Sequence, residues 1–407
     1  MITEKALRAF SEYFDKDKIG VAVSGGGDSV ALLRLLSDFA KDHDVEVFVY
    51  TVDHGLRPES ADEASFVADL AWALGCKHRV LTWRWDQQGN LSAAAREGRY
   101  DEIAHAAIGD GVSTVLLGHT QDDQAETVLM ALTRSAGVDG LSGMQSAKVD
   151  RGICWLRPLL GTTRAELRAY LTEIGQRWID DPTNDNDAYE RVKMRKASET
   201  LAGLGITSSS LGDVAQNMQA ARQALEFSAA EAIKRTCVPI GGAIKIDRKD
   251  FLTNAPEIQR RALARCLIHV APTASSPRRH AMQNALEQAH EGKDSSIGGC
   301  LILLKSDHIW VVREPIAVAA IETDVSDVWD GKWRVNGEHT PEGAVIRALG
   351  EAGLRTCENW RDTGLPRPAL LSSPSIWQND RLIAAPLAGY GGEWSAELLL
   401  GAEDFLS

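Results

Sequence analysis

The chain has no Cys-x-x-Cys pair. Its six cysteines, Cys76, Cys154, Cys237, Cys266, Cys300 and Cys357, are scattered along 407 residues. None stands at metal-ligand spacing from another, so each reads as a reduced thiol rather than part of a zinc or iron–sulfur site. No apolar run approaches the length that spans a bilayer. The start, Met1-Ile2-Thr3-Glu4-Lys5, has no signal-peptide core, so a cytoplasmic protein with no membrane partner is expected. Positive charge is also short: 44 Lys and Arg against 57 Asp and Glu give a formal net charge of −13. That balance argues against broad, non-specific nucleic-acid binding, and any RNA must be held by a few clustered cations. No long internal repeat and no low-complexity tract is present.

One further absence is local. Between Ile19 and Ala40 there is no lysine, although the segment has the form of a phosphate loop: an apolar run, Ile19–Val23, then Ser24-Gly25-Gly26-Gly27-Asp28-Ser29, then the helical pattern from Val30 onward. Without Gly-Lys-Ser/Thr it is not a Walker loop, and its glycine spacing is not that of a dinucleotide fingerprint. A strand, a glycine turn and a helix N-terminus still present free N–H groups and the positive end of a helix dipole to an anion. Glycine lets the backbone approach that anion closely. Ser24 and Ser29 add hydroxyls on either side.

From Ile19 to Leu117 strand and helix patterns alternate. Strands are predicted at 19–23, 45–52, 78–81 and 114–117, and helices near 28–40, 60–74 and 91–108. Alternation of this kind predicts a doubly wound α/β fold, a parallel sheet with helices on both faces. Ligands then sit at the carboxyl ends of the strands. Three polar clusters fall there: Ser24–Ser29, Asp53-His54-Gly55-Leu56-Arg57, and Gly118-His119-Thr120 leading into Gln121-Asp122-Asp123-Gln124-Ala125-Glu126-Thr127. A helix is expected from Thr163 to Ile174, with Thr162 or Thr163 as cap and Glu166 in the first turn. Another runs from about Ser208 to Arg235. Three domains are expected: 1–215, catalytic; 216–315, mainly helical; and 316–407, α+β and rich in Gly, Pro and Trp.

Asp122 and Glu126 are four apart and share a helical face. Two such carboxylates beside a triphosphate site suit Mg²⁺ bridging phosphate oxygens, although first-turn acids also suit the helix dipole on their own. His54 reads either as an acid–base group or as a turn histidine. The polar stretch 181–187 does not fit a calcium loop, because Asn186 stands where glycine is needed and Val192 where the closing glutamate belongs. It leads into Arg191, Lys193, Arg195 and Lys196. On a helix Arg191 and Arg195 share a face that can meet phosphates. Arg260, Arg261, Arg265, Arg278 and Arg279 form a second cationic group that would suit a nucleic-acid backbone.

The Ser24–Ser29 loop resembles the pyrophosphate loop (PP-loop) of the ATP pyrophosphatases. The whole ordered set resembles the tRNA(Ile)-lysidine synthetase family: that loop, Asp53–Arg57, Gly118-His119, Gln121–Thr127, Arg157-Pro158-Leu159-Leu160, Trp178, Asp181–Asn184, Arg191 and Arg195. One position departs from the family, with Val192 where an asparagine is usual. The resemblance implies a ligase that adenylates the wobble cytidine of a CAU-anticodon isoleucine tRNA with ATP and Mg²⁺. Free L-lysine then displaces AMP. It implies ATP contacts at Ser24, Gly25, Gly26, Gly27, Asp28, Ser29, Asp53, His54 and His119. Asp122, Glu126, Arg191 and Arg195 would be catalytic, with Asp122 and Glu126 also holding the metal. The accessory domains would contact tRNA, and a homodimer is one option for the assembly. A tRNA cytidine thiolase, an amidotransferase using the same loop, and a catalytically inactive tRNA-binding module are the alternatives.

Overall fold

The computed structural model describes residues 17–53, 55, 60–85, 91–180, 190–272, 277–399 and 405. His54, Arg57 and the 181–187 stretch lie outside them, as does the side chain of Arg191. Among the described residues no helix is long and apolar enough to cross a membrane. The chain divides into two compact units, Met1–Arg222 and Gln223–Ser407.

In the first unit the predicted alternation is present: β1 Lys18–Ala22, α1 Gly27–His43, β2 Glu46–Asp53, α2 Ser60–Ala73, β3 Lys77–Thr82, α3 Leu91–Asp110 and β4 Thr114–Leu117. Then follow α4 Gln121–Thr133, the short α5 Val138–Leu141, β5 Ala147–Asp150, β6 Ile153–Leu156, α6 Arg164–Glu173 and α7 Glu190–Ala202. The helix α8, Ser208–Thr236, contains the point of division. The sheet order is β3-β2-β1-β4-β6-β5, parallel throughout except for β5, which pairs antiparallel with β6 at the edge. Each strand sends alternate side chains to opposite faces, and both faces are covered. Val21, Val49, Leu116 and Leu156 enter a core with α1, α2 and α6. Tyr50, Val115, Leu117 and Trp155 enter another with α3. This two-sided burial is why β1, β2 and β4 read as near-continuous apolar runs, whereas the edge strand β3 is largely exposed.

Strand β1 lies between β2 and β4. The connections run outward in both directions from it, so the ends of β1 and β4 flank a topological switch point, where doubly wound sheets bind ligands.

The second unit contains a five-stranded antiparallel sheet in the order β7-β8-β11-β10-β9: Cys237–Ile240, Ala243–Asp247, His308–Arg313, Cys300–Lys305 and Ser295–Ile297. Two helices, Pro256–Val270 and Arg279–Glu291, pack on it. A four-stranded antiparallel sheet and a strand pair follow. Residues on either side of position 315 share one apolar cluster, in which Trp310 and Val312 meet Leu349, Leu370 and Trp377.

Candidate active site

The loop after β1 turns at Gly25, whose φ of +88° favours glycine. Helix α1 starts immediately after Gly26, and no side chain caps it. The Ser29 hydroxyl donates to the Gly26 carbonyl (2.9 Å) and accepts from the Ser24 N–H (3.2 Å), which closes the turn on itself. First-turn N–H groups of α1 therefore remain for an anion. The segment after α6 lies over the loop: the Ile179 N–H donates to the Gly25 carbonyl (3.0 Å), and Trp178 stands against Gly27. Gly118, after β4, is a packing requirement. A Cβ there would come within 3.2 Å of the Asp28 backbone and the Ser29 Cα.

Helix α4 begins at a capping box. The Asp123 carboxylate accepts from the Thr120 N–H and hydroxyl, both at 2.8 Å, and Thr120 accepts in turn from the Asp123 N–H. Nearly every residue of the 121–127 string makes a tertiary contact. The Gln121 N–H bonds Thr162 O, and Gln124 clamps both backbone groups of Met144. Asp122 accepts from the Arg164 N–H (2.8 Å) and the Ser208 hydroxyl (2.9 Å). Glu126 is buried at 2% exposure, and its Oε1 accepts from Arg164 Nη1 (2.8 Å) and Arg195 Nε (3.3 Å).

Arg164 is the common partner. Its Nη2 reaches Asp123 Oδ1 at 2.6 Å, and its Nε lies 3.4 Å from Asp28 Oδ2. Three carboxylates thus crowd two guanidinium groups, those of Arg164 and Arg195. Burial pushes the Asp28 carboxyl up to about 6, over the opposing pull of Arg164. Burial also raises Asp123, but Arg164 and the Thr120 N–H outweigh it and hold that carboxyl below the usual range. Arg164 is itself held charged against its own burial, by Asp123 and Glu126.

Of the residues expected at the site, the structure brings Asp28, Glu126 and Arg195 into one cluster and sets Asp122 at its edge. Asp53, at the end of β2, accepts from the Gly55 N–H (2.8 Å). His119 is buried between β4 and α4 and contributes to lowering Asp123. Val192 is buried, an apolar contact in place of an amide. Arg157 is also buried and donates to the Gln145 carbonyl (3.0 Å). In the second unit, Arg260, Arg261 and Arg265 are engaged by Glu226 and Glu257 rather than presented as bare cations.

Asp123, Arg164 and Ser208 were not singled out by sequence reasoning. A signal for Arg164 existed, since a cation at the first position of a helix opposes the dipole and calls for acidic partners elsewhere.

Among the described residues no group of three or more His, Cys, Asp or Glu is arranged to hold a metal alone. Mg²⁺ needs only one or two carboxylates when substrate phosphates complete its shell. Glu126 Oε2 is buried with no hydrogen-bond partner, so an acceptor suited to a hard cation is present.

The family model of the PP-loop domain matches residues 1–199. The chain is 44% identical to the tRNA(Ile)-lysidine synthase of Ruegeria pomeroyi, over 95% of this chain and 93% of that protein. It is 30% identical to that of Wolbachia pipientis wMel, over 94% and 91%. A third relative, the tRNA(Ile)-lysidine synthase of Hyphomonas neptunium, is 35% identical over 76% and 85%. Among solved structures, a U34-tRNA thiolase from Methanococcus maripaludis, determined with its [4Fe-4S] cluster, aligns with a TM-score of 0.46 and 15% identity, over 54% of this chain and 78% of that one.

Proposed function

Because this chain belongs to the tRNA(Ile)-lysidine synthase family, we propose that the cluster around Arg164 serves the two steps of lysidine formation. The protein is a PP-loop ligase that uses ATP to modify isoleucine tRNA. The tRNA is the one with a CAU anticodon, and the nucleophile is free L-lysine. In the first step the C2 carbonyl oxygen of the wobble cytidine attacks the α-phosphorus of ATP and pyrophosphate leaves. In the second, the lysine ε-amine attacks C2, the C–O bond to the adenylate breaks, and AMP departs.

The loop N–H groups and the hydroxyls of Ser24 and Ser29 face the leaving pyrophosphate. Arg195, with Arg191 on the same helix, neutralises phosphate charge. Asp53, His54 and His119 are assigned to nucleotide binding. Glu126, through Oε2, with Asp122 one turn earlier, would hold Mg²⁺, which when bound offsets the negative charge of the phosphates. Lysine arrives as an ammonium and must lose a proton before attack. Asp28, the carboxylate whose basicity burial has raised, is best matched to accept it. We assign residues 1–215 to catalysis, 216–315 to tRNA contact and 316–407 to a further accessory domain. A cytoplasmic location and a homodimer complete the reading, and are tested by fractionation and light scattering.

The observation that carries this proposal is the convergence of Asp28, Asp123 and Glu126 beside an uncapped helix N-terminus in the PP-loop. The test is direct. With ATP, Mg²⁺, labelled lysine and CAU-anticodon isoleucine tRNA, label should enter the RNA as AMP forms. Glu126→Gln should reduce that rate by about 100-fold or more. ATP bound but unchanged, with no lysine in RNA, would overturn the proposal.

A further inference from the structure

The nucleotide loop and the acidic string belong to different helices. Asp28 is on α1 and Asp123 and Glu126 are on α4, while Arg164, on α6, reaches all three. Its main-chain N–H also holds Asp122, so four acids of the site meet at one residue. A guanidinium suits this task, because it is flat, always charged and carries five donors in a fixed fork. An ammonium carries its three donors on one nitrogen and lacks that fork, which spreads the donors over three nitrogens. Helix α6 is fastened on both sides of Arg164: Thr163 caps it in a box with Glu166, and Leu167 and Leu171 are buried in the core shared with α1. An arginine needed only for helix stability would not be placed at the dipole's positive end.

The geometry points to Arg164 as the positioning residue for adenylation, holding the acidic string in register with the nucleotide loop before ATP arrives. This rests on the lysidine-synthase reading for the identity of the step, but not for the positioning itself. Arg164 acts through Asp28, Asp123 and Glu126.

Two variants of the full-length protein test it. Arg164→Gln should remain folded by circular dichroism and bind ATP–Mg²⁺ within about threefold of the unaltered enzyme, because the loop N–H groups are intact. Its kcat for tRNA-dependent pyrophosphate release should fall by about 100-fold. Arg164→Lys restores the charge without the fork and should recover only part of that loss, leaving kcat about tenfold down with an unchanged melting temperature.

Hydrogen exchange of the ligand-free protein reads the positioning without any substrate. Amides in 24–29 and 121–127 should exchange at least about tenfold faster in Arg164→Gln, with the β-sheet unaltered. Unchanged exchange in those segments would overturn the proposal, as would full kcat in Arg164→Lys. A loss confined to ATP affinity would also overturn it, since Arg164 would then be a nucleotide ligand. Should the unaltered enzyme put no lysine into RNA, the functional reading falls alone, and the exchange result still decides the role of Arg164.

Discussion

Burial raises the Asp28 carboxyl to about 6 in the folded protein, against 3.8 for the unperturbed group. The folded chain therefore holds a proton at this site over a range of pH in which the unfolded chain has released it. By linkage, the contribution of Asp28 to stability is fully present below about pH 4 and is lost as pH rises through about 6. The upper bound is about 3 kcal/mol at 1.36 kcal/mol per pKa unit. Partial exposure of the side chain, 27%, reduces it to about 1–2 kcal/mol. Asp28→Asn, a permanent mimic of the protonated form, should thus stabilise the protein by that amount at pH 7.5 and by almost nothing near pH 4, as read by urea denaturation at both pH values. It should also abolish ATP turnover, a trade of stability against function expected at a working site. At this scale much of the cluster was legible in the letters. Ser24–Ser29, Asp122, Glu126 and Arg195 stand out because their residue types and strand-end positions suit phosphate chemistry. Asp123 was hidden because its neighbour Asp122 shares the i, i+4 relation to Glu126's turn that drew attention. Ser208 was hidden because it comes 86 residues after the acid it bonds, a proximity that only packing creates.

Elements were legible where burial is two-sided, as in β1, β2 and β4, and the largely exposed edge strand β3 was legible from its place in the alternation of strands and helices. The strand 114–117 is found with the boundaries predicted for it, and the other three of the parallel core differ by about a residue at their ends. Strand β5 went unread because it is only four residues long, Ala147–Asp150, and its apolar Val149 is exposed like Lys148, so its short alternation marks no buried face. Strands β7 and β8 were obscured by Pro239 and Lys245, which interrupt the apolar pattern. The capping box of α6 is the element feature with the clearest consequence for the site. Thr163 accepts from the Glu166 N–H (3.2 Å), and Glu166 accepts from the Thr163 N–H and hydroxyl (both 2.8 Å). Thr163→Ala should cost about 1 kcal/mol in urea denaturation. It should also slow pyrophosphate release, because the first turn that aims Arg164 loosens. Thr163→Ser keeps all three hydrogen bonds and should match the unaltered enzyme in both measurements.

For the whole molecule, all described side chains of the candidate site lie within Met1–Arg222. The second unit has its own buried polar centre. Arg313 and Asp330 form a two-point ion pair (2.8 and 2.9 Å), both buried. Nearby, Lys332 donates to the Val270 and Gly242 carbonyls. Asp330→Ala would leave the Arg313 charge buried and unmatched, at a cost of about 3–5 kcal/mol. Calorimetry should show a lowered transition in that variant, while ATP affinity measured at 20 °C stays unchanged. The domain alternation of the first unit was visible from sequence because each βα step repeats a recognisable period. The engagement of Arg260, Arg261 and Arg265 by Glu226 and Glu257 was not visible, since a run of cations does not disclose its partners. The dispersed origin of the acid cluster also has a meaning in time. Its parts emerge during synthesis in the order Asp28, Asp122–Glu126, Arg164, Arg195, Ser208. A nascent chain exposes its nucleotide loop early, yet the acids lack their full set of partners until the start of α8 has left the ribosome. The acid cluster therefore reaches its full set of partners only when the first half of the chain is complete.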